Sequence, residues 1–305
     1  MGTWFSITLF APDPGKAQEA FTAAFQRIAQ LDQILSDYKA DSELTRVCAT
    51  AHAHPVAVSQ ELFTTLEASW RLSDETGGAF DITLGPVIRL WRKAREAKRI
   101  PDSVELAAAA RLCGYRNLVL DPAHRTVFLK LAGMQLDLGA IAKGYAADEA
   151  LSVLRARGIR SALVAASGDL AIGDAPPGKP GWRVGVDSVD TPGSNFTRVL
   201  VLHNIAVSTS GDTEQHLDAA GRRYSHIVDP KTDFGLTSRI SVTIVAAKGI
   251  DSDSLATAVS VLGPERGMNF VETKTHAAAL IVTFPNGVAR VRESSRFHSL
   301  RTSGR

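Results

Sequence analysis

Cysteine is scarce: Cys48 and Cys113 are the only two in 305 residues. They form no Cys-x-x-Cys pair and lie at no zinc-type spacing to histidine, which argues against a structural metal knot and makes two inert thiols the simplest reading. No window approaches the ~20 apolar residues that a membrane-spanning helix needs. Neither charge is in surplus, because 34 Lys and Arg face 32 Asp and Glu for a net +2. That balance argues against a surface built mainly for nucleic acid or acidic lipid, so any phosphate binding has to be local. There is no internal repeat and no polar linker long enough to separate domains cleanly, so the chain is treated as one unit with two lobes at most. What remains is ordinary globular usage, 45% hydrophobic and 22% charged, in a chain long enough to bury a sizeable core.

Periodicity supplies the elements. Thr3 to Phe10 is rich in β-branched and aromatic residues and reads as a strand, punctuated by Pro12 and Pro14. Phe21, Ala24, Ile28, Leu31 and Leu35 recur at three and four, predicting a helix from Pro14 to Tyr38. A second helix runs from Ser59 towards Glu75 with Leu62, Leu66 and Trp70 on one face, stopped by Gly77 and Gly78. Apolar runs around Asp121-Pro122-Ala123-His124 predict a hairpin, and a helix should start near Ala140. Further on, strands are expected at Ala162 to Ala166, Trp182 to Asp187, Val199 to Ser208, Ile240 to Ala246 and Ala278 to Phe284, with helices near 251 to 262 and 264 to 272.

Four stretches carry candidate chemistry, each with a plainer alternative. In Gly77 to Pro86, small residues let backbone approach a ligand, or Phe80 is a core plug and Asp81 a helix cap. In Leu136 to Asp148, a Gly turn and a helix start carrying Lys143 make an anion site, or Lys143 is an ordinary exposed lysine and Asp137 only caps the turn. Asp253 and Thr257 stand one helical turn apart, so both oxygens leave one face and suit a hard cation such as magnesium. Otherwise Asp253 serves the helix dipole and Thr257 bonds back to its own turn. The Val207 to Asp212 hydroxyl run suits phosphate or ribose, and His226 suits proton transfer or a structural bond to a carbonyl.

The order and wording of these stretches go further. MGT at Met1 to Thr3, SDYKADSEL, TGGAFDITLGP, LDLGAIAKGYAADEA, STSGD, SHIVDPKT and DSLATA together resemble the ApbE-type FAD:protein FMN transferases, over about residues 1 to 290. The resemblance implies an α+β fold, mixed and two-lobed, with an FAD cleft between lobes: one domain over 1–290 and a C-terminal tail over 291–305. It implies FAD contacts at Met1, Tyr38, Ala79, Phe80, Asp81, Asp137, Lys143, His226 and Ile227, and magnesium ligands at the Ala140 carbonyl, Asp253 and Thr257. The implied reaction moves FMN from FAD to a threonine of an acceptor protein, such as a subunit of a redox or electron-transfer complex, and AMP leaves. Lys143 is assigned to the pyrophosphate and His226 to deprotonating the incoming hydroxyl.

Two departures from the family pattern stand out. Ser167-Gly168-Asp169 replaces a Gly pair, and Asp233-Phe234-Gly235 follows Lys231-Thr232 where Gly usually follows the Thr. An FAD pyrophosphatase passing FMN to water, and a flavin-holding module without chemistry, are the competing functions. Localisation stays open: with no basic leader before an apolar core at the N-terminus, the residues given read as cytoplasmic, and the family makes the periplasm the alternative where a leader has been removed.

Overall fold

A computed structural model describes residues 2–187, 197–211, 215–300 and 302. In chain order its elements begin with β1 (Phe5–Leu9), α1 (Pro14–Leu35), α2 (Glu43–Thr50), β2 (Val56–Ala57), α3 (Gln60–Glu75), α4 (Gly85–Ala97) and α5 (Ser103–Ala110). There follow β3 (Leu118–Asp121), β4 (Thr126–Leu129), α6 (Ala142–Ala156), β5 (Ala162–Ala166), β6 (Asp169–Ile172), β7 (Trp182–Asp187) and β8 (Thr197–Leu202). The chain continues through β9 (Ile205–Gly211), β10 (His216–Ala219), β11 (Arg222–Ser225) and β12 (Ile240–Ala246). It ends with α7 (Gly249–Glu272), β13 (Ala277–Thr283), β14 (Arg290–Glu293) and α8 (Ser295–His298). The fold is α+β, and it divides into two compact units. One comprises Leu31–Ala142 and Asp212–Ser238; the other comprises Gly2–Gln30, Lys143–Gly211 and Arg239–Arg305.

The second unit is built on a seven-stranded antiparallel sheet in the order β1-β5-β6-β9-β12-β13-β14. Side chains alternate between its faces, so neighbours Ala171 and Ile172 enter different cores. On one face Ala20, Ala24 and Ile28 of α1 and Ala147, Leu151 and Leu154 of α6 cover Ala162 and Val164. On the other, Val207, Val245 and Leu280 meet the β7-β8 hairpin and Phe297 of α8. With both faces covered, β12 is buried along nearly its whole length, and its two polar residues, Ser241 and Thr243, are small.

Two expectations change here, and a third is refined. The strand read over Val199 to Ser208 is two, broken at Asn204, whose φ of +50° turns the chain. The Asn204 amide holds that turn by donating to Asp174 at 2.9 Å and accepting from Arg155 at 2.7 Å. The two helices expected near 251 to 262 and 264 to 272 are both present within α7, divided at Gly263, whose backbone (φ +78°, ψ 175°) is not helical, just before Pro264. The segment read as a tail beyond residue 290 is part of the sheet unit: β14 pairs with β13, and Phe297 is only 1% exposed.

The first unit packs Val87, Trp91 and Ala94 of α4 against Leu106 and Ala109 of α5 and against Leu217 and Tyr224 of the β10-β11 hairpin. Ser59 caps α3, accepting from Leu62 N at 3.2 Å, and Gly77 and Gly78 (φ +61° and +83°) end it as expected. Leu62 and Leu66 are buried, but Trp70 is 38% exposed and packs edge-on with Tyr115. The buried face of α3 runs on beside it through Ser69, Leu72 and Ser73.

The start of α7 has no side-chain cap from its own N-cap residue, Lys248. Asp148 of α6 supplies the cap, accepting from Gly249 N at 2.7 Å and Ile250 N at 3.1 Å. Burial raises its carboxyl to about 6, with the two backbone bonds pulling the other way. The folded state therefore favours the protonated form relative to the unfolded chain. Its contribution to stability is fullest below the ordinary 3.8, falls as pH rises towards about 6 and is flat above that. Urea titrations should show this slope vanish in Asp148→Asn, and Asp148→Ala should cost roughly 1–3 kcal/mol by orphaning two buried N–H groups.

Candidate active site

Two glycines decide the geometry where α6 meets α7. A Cβ on Gly144 would lie 2.0 Å from the Gly249 carbonyl oxygen, and one on Gly249 would lie 2.4 Å from the Gly144 oxygen. Only hydrogen fits at either position, so the two helix starts touch through backbone. The contact places Asp253, in the first turns of α7, beside Lys143, in the first turn of α6. Lys143 Nζ donates to Asp253 Oδ1 at 3.0 Å and Oδ2 at 3.2 Å, and Gly144 N donates to Oδ2 at 3.0 Å. Asp169, the first residue of β6, is a third member, with Oδ2 3.1 Å from the same ammonium. Burial, and next the Asp169 charge, push the Asp253 carboxyl up to about 6. Burial works against the charge on Lys143, yet Asp253 and Asp169 together raise its pKa.

Lys143 is thus no ordinary surface lysine, and Asp253 does more than serve a helix dipole. No role for Asp169 follows from the sequence alone, where its only signal is an acid directly after Gly168 at the head of a strand. Thr257, one turn beyond Asp253, is half-buried, and among the described residues its hydroxyl has no hydrogen-bond partner. On the same helix Ser254 and Ser260 bond back to Ile250 O and Ala256 O at 2.8 Å each, so the plainer reading of Thr257 does not hold.

A second cluster lies within the other unit. Arg92 of α4 pairs with both Asp37 and Asp137, reaching Asp137 Oδ2 at 2.6 Å. Its guanidinium also lies over the Tyr38 ring, 4.3 Å from the centroid. Asp137 accepts from Gly139 N at 2.8 Å, so it does cap the turn, and its own N–H donates to Ile82 O at 2.8 Å. That bond joins it to the Ala79 to Asp81 segment. Phe80 is a core plug, 2% exposed, and Ala79 is buried. Asp81 is not the cap of α4: Oδ1 accepts from Thr83 N and Oγ1 at 2.8 and 2.6 Å, and Oδ2 accepts from Tyr115 N at 2.9 Å. Arg92, which sequence reading missed, thus joins Tyr38 to Asp137, and the Asp137 N–H ties that pair to Ile82, the residue that follows the Ala79 to Asp81 turn.

His226 follows β11. Its Nδ1 lies 3.1 Å from Gln215 O, a carbonyl that can only accept, so Nδ1 is the donor of that bond. Ile227 is buried, its N–H donating to Ser225 Oγ at 3.1 Å. Ser208 and Thr209 spend their hydroxyls on Ser252 and Thr243 at 2.8 and 2.9 Å, which makes them structural. Met1 and Asp212 lie outside the described residues. The Ala140 carbonyl belongs to the half-buried turn before α6.

A model of the ApbE family matches residues 1–281. This chain belongs to the ApbE family. It is 34% identical to a Treponema pallidum protein named FAD:protein FMN transferase, an alignment covering 97% of this chain and 85% of that one. Among solved structures it resembles the flavin transferase ApbE from Vibrio cholerae, at a TM-score of 0.90 and 28% identity over 99% and 96% of the two chains. It also resembles the Pseudomonas stutzeri flavinyl transferase ApbE in its apo form, at 0.86 and 29% over 100% and 95%.

Ser167 and Asp233, where the resemblance implies glycine, both lie on left-handed backbone, with φ +55° and +61°. Each non-glycine residue stands beside a contact. The Ser167 hydroxyl pairs with that of Thr3, two residues from Asp169 in sequence. The Asp233 carbonyl accepts from Trp91 Nε1 at 2.8 Å, while Phe234 packs edge-on to the Trp91 ring. The loop after His226 is thereby fastened to α4.

The glycine contact gives a direct prediction. Gly144→Ala drives a methyl group into a carbonyl oxygen, so the two helix starts must separate. The denaturation midpoint should fall by an amount equivalent to ~1–3 kcal/mol, and the bond from residue 144 N to Asp253 should lose its amide-exchange protection.

Proposed function

We propose that this chain transfers the FMN half of FAD to a threonine hydroxyl of an acceptor protein, with magnesium bound and AMP as the leaving group. Membership of the ApbE family and relatives named FAD:protein FMN transferase support FAD as the substrate and a protein as the acceptor. The observation that carries the reading is the Lys143, Asp253 and Asp169 cluster at the backbone crossing of α6 and α7.

That cluster fits a divalent cation. Two carboxylates face one ammonium, an arrangement one charge short of balance, and the Thr257 hydroxyl, without a partner among the described residues, stands a turn away. A carboxylate, a hydroxyl and the Ala140 carbonyl are hard oxygen donors of the type magnesium takes. When bound there, magnesium supplies charge neutralisation along the pyrophosphate.

The remaining work belongs to the protein's own groups. The Lys143 ammonium, held by Asp253 and Asp169, meets the negative phosphates. Tyr38, the Ala79 to Asp81 turn, Asp137 and the His226–Ile227 pair hold the dinucleotide. His226 takes the proton of the threonine hydroxyl on Nε2 as that oxygen bonds to the FMN phosphorus. The phosphorus–oxygen bond to AMP breaks, and its electron pair leaves with AMP. Positioning and charge compensation dominate such phosphoryl transfer.

Incubation with FAD, magnesium and a threonine-bearing acceptor tests the reading. Covalent flavin fluorescence on the acceptor in a denaturing gel is the expected result; free FMN and AMP alone would instead establish a pyrophosphatase. Asp253→Ala and Thr257→Ala should each remove most magnesium-dependent turnover, and wild-type rates in both would defeat the metal assignment. Lys143→Ala should weaken FAD binding, since it also exposes two carboxylates to the phosphates. His226→Ala should slow turnover by roughly 10²- to 10⁴-fold while FAD still binds.

A further inference from the structure

Tyr38 is 61% exposed, yet its ring is not left to rotate freely. One face lies against the Arg92 guanidinium at 4.3 Å. Arg92 is itself held by two acids, Asp37 next to the tyrosine in sequence and Asp137 far along the chain, both almost fully buried. A guanidinium can do this because its flat face and its donor fork are separate: the fork spans two carboxylates while the face backs an aromatic ring. Lysine offers one point of charge and no face. Asp137 is fixed a second time by Gly139 N and a third by its own N–H to Ile82 O, so its orientation is set from three sides.

We propose that Arg92 is a positioning residue for the flavin dinucleotide: its guanidinium fixes the exposed Tyr38 ring and the Asp137 carboxylate in the single arrangement to which FAD binds. The inference rests on the FAD-dependent transferase reading. The outward face of Tyr38 is then a preset platform for a planar ring of the substrate, and Asp137 a preset acceptor. Arg92 touches no reacting atom; it acts through these two neighbours. Removing it frees the tyrosine to adopt other rotamers and leaves two buried acids facing each other without a counter-ion.

Four variants test this by FAD titration, read as flavin fluorescence quenching, together with FAD-dependent kinetics on the full chain. In Arg92→Met the Kd and the KM for FAD should rise by ~10-fold or more, while kcat at saturating FAD falls by less than ~3-fold. Arg92→Lys keeps a charge between the acids, so its thermal midpoint should lie nearer the wild type than that of Arg92→Met, but its FAD affinity should stay low. Tyr38→Ala should lose FAD affinity comparably, and the double variant Tyr38→Ala/Arg92→Met should be no weaker than the weaker single variant within ~3-fold, because both act through one contact.

Wild-type affinity in Arg92→Met, full recovery in Arg92→Lys, or multiplying losses in the double variant would each overturn the role. Should Arg92→Met fail to fold, Tyr38→Ala removes no buried charge and decides alone: unchanged FAD affinity there overturns the platform. Wild-type protein that binds no FAD would sink the transferase reading and this inference together. A wild type that binds and transfers, beside an Arg92→Met variant of equal affinity, overturns only the inference.

Discussion

A buried ammonium between two carboxylates organises the unit built on the large sheet. Lys143, Asp253 and Asp169 come from the start of a helix, the start of a second helix and the start of a strand, and each would pay a heavy desolvation cost alone. Together they offset it, and only while Gly144 and Gly249 keep the two helices in backbone contact. The dependence runs in both directions. Asp253 also accepts from Gly144 N, so the charge cluster closes over the contact that creates it, and Asp148 fastens the same α7 terminus from the next turns of α6. Stability and the candidate phosphate site share the same few atoms.

The other unit solves a similar problem with a different cation. Arg92 replaces the ammonium by a fork, which lets it reach two acids and still present a flat surface to Tyr38. Its neighbour Trp91 faces the core and donates to the Asp233 carbonyl, so successive residues of α4 hold two different segments: the turn of Tyr38 and Asp137, and the loop after His226. A helix is suited to this because adjacent side chains leave about 100° apart and serve different partners. The same geometry separates two basic neighbours in α4: Arg92 is neutralised inward, while Lys93 is exposed to solvent.

Much of this was legible in the sequence, for identifiable reasons. β5, β7 and β12 begin and end on the residues their patterns indicate, because alternation and β-branching record burial directly. The break at Asn204 was not legible, since apolar residues run past it and only a hydrogen-bonded asparagine in left-handed backbone reveals the turn. Lys143 and Asp253 were legible because each stands in a distinctive local motif. Their pairing was not, being a contact across 110 residues. Arg92 escaped notice for the same reason, as its acids lie 55 and 45 residues away in opposite directions. Local chemistry is written in local sequence; the neutralisation of one charge by another is written only in the fold.

The two non-glycine residues on left-handed backbone near the site, Ser167 and Asp233, bear on this division. In left-handed backbone glycine is free of strain, and a serine or aspartate there costs of order 1 kcal/mol. Accepting that cost makes sense where the replacement contributes a contact that glycine lacks. Ser167 does so through the Thr3 hydroxyl, in the loop that delivers Asp169 to Lys143. Asp233 contributes no comparable side-chain bond; its carbonyl takes the Trp91 N–H, a bond glycine could equally accept, and the residue that gains is Phe234, placed against Trp91 and Tyr224. The two sites therefore differ in kind. At the first the side chain itself is the fastening, and at the second the altered turn delivers the next residue to an aromatic cluster, so the strain at each has its own compensation close to a residue assigned to the reaction.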